Sequence, residues 1–412
     1  MDRGTEREAS TEGRKFKRAI SPRALALYGL GTVVGAGIYV VIGKIIGMSG
    51  ALAPVAFLIA AIAAGLTALS YTELSIRIPE SGGSAAYVSA GFDSRLLTAI
   101  AGWAIVATGI TSAATVTTGV VGYSKVFVTI PEQAAILGLV TSLTLIAAIG
   151  IRQTSLFMAL TTIAGVFGLV WVIGHAWNDL HHYPSLVREA WSEERGRISS
   201  IIIPAGFLAF YAYIGFEDLV TLSEEAQDQP SAMPRAIWFT LIVSLLLYLV
   251  VSVAAVSTLS PERLAASVAP LVDVVREKGA SGYILGGVSL LMIINGAMAH
   301  IVMVPRVLHD LANHRRSAPT WLARVNTGTG TPVLATTLAG AAVAGLALFF
   351  PTETLAGWTS FILLGVFMAA NLSLVVIKLR AKERLPEFAV PLPVPIAGAT
   401  VSLGLIVGEI IL

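Results

Sequence analysis

Leu27-Tyr28-Gly29-Leu30-Gly31-Thr32-Val33-Val34-Gly35-Ala36-Gly37-Ile38-Tyr39 is an apolar run crowded with glycine, and Gly43 and Gly47 extend the pattern. Glycine at every fourth position, as at Gly31 and Gly35 or Gly43 and Gly47, is first of all a helix-packing pattern. That pattern accounts for Gly31, Gly43 and Gly47. It accounts less well for Gly35-Ala36-Gly37, whose two glycines sit two apart and face different directions. Each glycine costs a helix about 1 kcal/mol, so this segment can unwind in mid-membrane. Unwinding is tolerable only where the freed backbone groups line a cavity or meet a ligand. A half-helix restarting at Gly37 would aim free N–H groups and a positive dipole end at the centre, a carboxylate receptor made of backbone. On spacing alone, close packing and a binding site stand as alternatives.

The rest of the chain supplies the setting. Its 412 residues are 55% hydrophobic and only 13% charged, where soluble domains carry about 25% charged residues. A spanning helix takes roughly 20 apolar residues, and apolar runs lie near 24–47, 51–76, 96–124, 134–150, 155–175, 201–222, 235–258, 282–307, 332–350, 355–377 and 393–412. Long runs such as Leu241–Val256 lack period-2 alternation, which selects helices over a barrel. This composition excludes a soluble enzyme, a disordered protein and a nucleic-acid binder. The sequence describes an all-α polytopic membrane protein of about eleven transmembrane helices. There is no cysteine, hence no disulfide, thiol nucleophile or Cys-ligated metal.

With the N-terminus placed inside, nineteen of the 27 Lys and Arg residues fall on inner segments, satisfying the positive-inside rule. Seven of them lie in residues 1–23, read as a solvated cytoplasmic tail, and the odd span count puts the C-terminus outside. The expected membrane is the plasma (cell inner) membrane. Of the long outer loops, 176–200 carries Trp177, His181, His182 and Trp191, and 259–281 holds the amphipathic stretch Pro270–Lys278. Both read as interfacial helices, with an extracellular gate as the alternative. His175, His181 and His182 lack the carboxylate spacing a metal site needs, so no metal and no cofactor is expected.

A second interruption falls in the sixth span, at Phe210-Tyr211-Ala212-Tyr213-Ile214-Gly215-Phe216-Glu217-Asp218, with Glu224 and Glu225 close behind. About fifteen apolar residues precede Glu217, so in a straight helix it stops short of the inner interface. Breaks in spans one and six imply two five-helix repeats of opposite topology with a site at the midplane between them. Those repeats are drawn as 24–175 and 201–377, separated by the outer loop 176–200. Residues 378–412 form an inner loop and an additional span. Among other polar groups, Glu73 is either a proton-sensitive gate or the partner of Arg77 one helical turn on, the commoner arrangement. Asn295 and His300 in the eighth span are coupling candidates, since burying a polar group there is costly. A neutral imidazole bonded to a carbonyl is the equal alternative for His300.

The chain resembles the amino acid–polyamine–organocation (APC) superfamily of permeases. Gly31 to Tyr39 looks like the first-helix signature of that family. Tyr71-x-Glu73-Leu74 and Pro79-x-x-Gly82-Gly83-x-x-x-Tyr87 look like its second-helix exit and inner loop. Phe210 to Glu217, Glu224-Glu225 and Pro234-Arg235-Ala236-Ile237 are similar to its sixth-to-seventh segment. Pro305-Arg306-Val307-Leu308, Arg324-Val325-Asn326 and Thr331-Pro332 match the eighth-helix exit and following loop. The resemblance implies the leucine-transporter-like 5+5 inverted repeat with broken first and sixth helices. It also implies secondary-active, alternating-access transport of a small amino acid or related amine. The substrate carboxylate would sit on the amides of Gly35, Ala36 and Gly37. Its ammonium would meet carbonyls near Thr32 and Val33 and around Phe210 and Tyr213. Tyr213, Ile214 and Phe216 would shape the side-chain pocket. Glu73, Glu217, Asn295 and His300 would be the coupling or gating residues, with H+ or Na+ as the coupling ion.

The chain departs from the family in three places. Some members carry a lysine midway along the fifth helix, where its ammonium replaces a sodium ion; the comparable position here is Gly165. The inner loop after the eighth span reads Leu311-Ala312-Asn313-His314-Arg315-Arg316 instead of an Ala-Arg-Asp-Gly run, and the usual twelfth span is missing. These departures keep a non-transporting sensor or regulatory partner as the alternative function. A membrane enzyme is disfavoured because no Gly-x-Ser-x-Gly, His-Glu-x-x-His or phosphate loop occurs.

Overall fold

The computed structural model describes residues 20–79, 83–150, 155–220, 222, 226–313, 317–380 and 386–412. Several residues on which the sequence reading drew lie outside the described residues: the tail up to residue 19, Gly82, Arg152, Glu224, Glu225, His314, Arg315, Arg316, Lys382 and Arg384. Among the described residues helices make up the fold, and the lone strand-like pairing joins Ile20 to Ala226. Nine stretches are long and apolar enough to cross a membrane. The first, Pro22–Arg77, holds two crossings that turn back at Gly50, whose φ of 52° suits glycine. The shorter apolar helix Val333–Phe349 adds another. Among the described residues this gives eleven apolar helical segments, the number expected.

The first span is two helices, Pro22–Val33 and Ala36–Ser49, and the second is Ala53–Arg77. Spans three to five are Arg95–Ser124, Glu132–Ile149 and Ser155–His175. The sixth is again broken: Ile198–Phe210, a 3-10 turn at Tyr211–Tyr213, and the short helix Phe216–Val220. Gln229–Thr258, Gly282–Asn313, Val333–Phe349, Thr352–Arg380 and Pro393–Ile411 complete the set. The second span packs on the seventh, the third on the eighth and the tenth, and the fourth on the ninth.

Lipid is as apolar as leucine, so close approach at small residues holds such a bundle together. A Cβ added at Gly102 or Gly109 of the third span would lie 2.4 Å from Leu311 or 2.5 Å from Val304 of the eighth. At Gly31 it would lie 2.0 Å from Thr162 of the fifth span. Gly43 and Gly47 also serve packing, but their partner is the short helix Pro261–Ala266, which presses Leu264 and Ala265 into the notch. Hydroxyls of Thr108, Thr111 and Thr115 donate to carbonyls of the preceding turn, so the polar third span leaves few unmet groups.

The two long loops differ. Helix Tyr183–Glu193 buries no residue and leaves Trp191 exposed, as an interfacial helix should. Helix Pro270–Glu277 instead buries Leu271, Val272, Val274 and Val275 against the bundle. Its amphipathic pattern faces protein where an interfacial position was expected. Periodicity reports an apolar face, and what covers it here is the eighth span together with the first, fifth and seventh.

Candidate functional site

The two breaks meet at the centre of the bundle. In the first span helical geometry fails at Val34 and Gly35, and helix resumes at Ala36, one residue earlier than expected. Gly35 is the N-cap, and no side chain caps this half-helix, so its first amides face the break unclaimed by side chains. In the sixth span the 3-10 turn ends at Ile214, which is extended, and Gly215 follows at φ 124°. A Cβ at Gly215 would lie 2.8 Å from the Thr32 carbonyl, and one at Gly37 would lie 3.0 Å from the Ala212 Cα. Each break's glycine is therefore the surface on which the other rests. Thr32 fastens them, its hydroxyl 2.9 Å from the Gly29 carbonyl and 3.1 Å from that of Gly215.

The carbonyl ends converge as well. The Tyr248 hydroxyl, from the unbroken seventh span, donates to the carbonyls of Val33 at 2.7 Å and Ala212 at 2.9 Å. Val33 closes the first half-helix and Ala212 lies in the turn that closes the other. Amides that no side chain caps thus begin the half-helix at Ala36, and the carbonyl ends at Val33 and Ala212 lie beside that same break; groups of these two kinds can receive a carboxylate and an ammonium. Tyr213 is fully buried, packs its ring on Tyr248 with centroids 5.1 Å apart, and its hydroxyl has no hydrogen-bond partner.

The residues singled out from sequence divide into three groups. Thr32, Val33, Gly35, Ala36, Gly37, Tyr213 and Ile214 lie at the two breaks. Phe210 and Phe216 belong to a buried aromatic cluster, where both pack on Phe367 and Phe216 also meets Tyr71. Glu217 turns back to accept from the Gly215 amide at 2.9 Å, which caps the short helix Phe216–Val220. His300 reaches the second break indirectly: its Nε2 is 2.9 Å from the Ser112 hydroxyl, which is 3.1 Å from that of Tyr211. Asn295 donates weakly to Thr161 at 3.4 Å, while its neighbour Gly296 packs on Ala36.

Glu73 pairs with Arg77, its Oε1 2.8 Å from Nη2, and the same carboxylate also takes Lys378 at 2.7 Å and the Val390 amide at 2.8 Å. It joins spans two and ten to the segment before the eleventh. At Gly165, a Cβ would lie 2.5 Å from Met292, and the Gly165 carbonyl accepts from Tyr39 at 2.6 Å. Away from the breaks, a cavity of about 400 Å³ lies among Val40, Lys44, Tyr123, Lys125, Thr352 and Glu353. Ion pairs Lys44–Glu353 and Lys125–Glu132 line it. His181 and His182 stack on each other, and among the described residues no group of three His, Asp or Glu is placed to hold a metal.

Sequence reasoning missed Tyr248, Ser112 and Tyr211. Tyr211 sits in the aromatic run quoted for the second break, and Ser112 follows Thr108 and Thr111 in a hydroxyl-bearing stretch of the third span that could have signalled it, but Tyr248 leaves only its own hydroxyl in an apolar span.

Comparison with known proteins identifies the family. The family model described as amino acid permease matches residues 20–410. An uncharacterised transporter of Mycobacterium tuberculosis is 28% identical over 408 residues, covering 94% of this chain and 89% of that protein. Cationic amino acid transporter 3, mitochondrial, of Arabidopsis thaliana is 26% identical over 92% of this chain and 64% of its own length. Cationic amino acid transporter 1 of the same plant is 25% identical over 88% of this chain and 63% of its own. With the match running through both breaks and nearly the whole chain, this integral membrane protein belongs to the amino acid permease family.

Proposed function

We propose that the protein is a secondary-active transporter that moves a small amino acid or related amine by alternating access. The observation that carries this reading is the interlock of the two breaks, which brings uncapped amides at Gly35–Gly37 and the carbonyl ends at Val33 and Ala212 to one place. The substrate carboxylate sits on the former and its ammonium on the latter. Residues 24–175 and 201–377 act as the two repeats that rock about this site, with the N-terminus cytoplasmic in the plasma membrane. The cavity beside Lys44 and Glu353 is an approach to the site from the opposite end of the bundle. His300, through Ser112 and Tyr211, is the coupling residue in contact with a break. The names of the plant relatives put arginine and lysine beside the neutral amino acids as substrates to try.

The test is ligand-induced thermal stabilisation of the purified protein across the twenty amino acids and common polyamines, with and without sodium, at two pH values. A ligand that binds the folded state raises its apparent stability. Stabilisation by a few amino acids, followed by their uptake into proteoliposomes, is the expected result. Stabilisation without flux would turn the reading to a sensor, and no stabilisation with no flux would overturn it.

A further inference from the structure

We propose that Tyr248 is the positioning residue for the substrate's ammonium, holding the carbonyl ends of both breaks on one hydroxyl; this rests on the transport reading above. Tyr248 is fully buried and lies in neither broken helix. Its hydroxyl oxygen is nevertheless within 2.9 Å of a terminal carbonyl from each. Carbonyls at helix C-termini lack intrahelical donors and carry the negative end of the helix dipole. Two such ends brought together repel unless a donor stands between them. The phenol supplies that donor, but it has a single proton for two carbonyls with two lone pairs each. Acceptor capacity is left over at the point where the two ends converge. An ammonium has three donors and can take up that remaining acceptor capacity.

The ring cannot swing away from this position. Tyr213 packs on it with centroids 5.1 Å apart and Phe57 at 5.7 Å. The hydroxyl thus organises the acceptors before the substrate arrives. Without it, the substrate must itself bring two like poles together, and apparent affinity falls by that cost. Because only the amine uses these acceptors, the penalty falls on amine recognition alone. A hydroxyl that merely capped the helices would lower affinity for every ligand equally.

The experiment compares wild type with Tyr248→Phe, using L-arginine, L-alanine and the same two acids lacking the α-amino group. Binding is measured by calorimetry and competition on the full-length protein in lipid nanodiscs. Wild type is expected to prefer the amino forms. Tyr248→Phe should lose about five- to tenfold of that preference, the size of one neutral hydrogen bond. Its affinity for the des-amino acids should stay the same, and in uptake KM should rise with the maximal rate retained. A preference that is unchanged or sharper in the variant overturns this proposal alone. If wild type binds none of the twenty amino acids, the transport reading falls and this proposal with it; where another amino acid binds more tightly than these two, it and its des-amino acid take their place in the comparison. Tyr248→Met, which fills the space without a donor, carries the same comparison if the Phe variant does not reach the membrane.

Discussion

Replacing Glu73 by Gln should unfasten the segment before the eleventh span. The carboxylate is fully buried and takes four donors: Arg77 Nε and Nη2 at 2.8 Å each, Lys378 Nζ at 2.7 Å and the Val390 amide at 2.8 Å. Gln keeps the shape but brings its own NH2 group, which must face either Arg77 or the pair Lys378 and Val390, donor against donor. It also removes the one charge that balances two cations whose side chains are only 14% and 12% exposed. Breaking a buried pair costs about 3–5 kcal/mol, and the slight exposure of both cations places this case near 3 kcal/mol. Lys378 still donates to the Val390 carbonyl at 2.6 Å, so the damage should begin locally. Unfolding in mixed micelles measures the total, and hydrogen exchange should show the amides of 388–392 losing protection first. Adding Lys378→Met should recover part of the loss, because one orphaned cation is then removed. A loss below about 1 kcal/mol, the size of an exposed pair, would refute the reasoning.

Gly215→Ala should cost at least about 2 kcal/mol and abolish ligand-induced stabilisation. It puts a Cβ 2.8 Å from the Thr32 carbonyl and forces a φ of 124° on alanine; a variant that binds substrate normally would show that the breaks need not touch. Asp179 tethers the loop after the fifth span to Lys278 at 2.7 Å and Thr258 at 2.9 Å. Partial burial pushes its carboxyl up, but these hydrogen bonds outweigh that and hold it below the usual carboxylate value. The tether is therefore complete above the ordinary carboxylate pKa of about 3.9 and weakens as pH falls through the depressed native value. Proteolysis of the 176–182 loop should rise on acidification in wild type, whereas Asp179→Asn should show a loop equally loose at every pH.

What the sequence made legible was whatever depends on neighbours along the chain. The first helix breaks at Val34 and Gly35, beside the glycine pair whose propensity disfavours helix, and Glu73–Arg77 follows from helical spacing. Both stand where the pattern put them, within one residue for the helix restart. The rest depends on which surfaces meet. Lys378 and Val390 complete the Glu73 cluster from more than three hundred residues away in sequence. Tyr248 matters because two carbonyls from different helices arrive at its hydroxyl, and no periodicity in an apolar span marks that. Glu217 looked like a charge stranded in the membrane; the Gly215 amide, freed by the break itself, gives it a partner two residues back.

The fifth span carries the argument one step further. The position corresponding to the family's lysine is Gly165, and the space beside it is filled, with Met292 within 2.5 Å of where a Cβ would stand. The Tyr39 hydroxyl is bonded to the carbonyl of Gly165, and the carbonyl of Tyr39 in turn accepts from Tyr123 at 3.0 Å. Tyr39 lies on the same half-helix as Gly37. The half-helix that begins at Ala36 is thus tied by neutral hydrogen bonds to the fifth span at Gly165 and to the third at Tyr123, at the place where some family members carry a charge. The other break is reached by a different polar chain, from His300 through Ser112 to Tyr211, and on the transport reading proposed above that chain is the one to test for coupling.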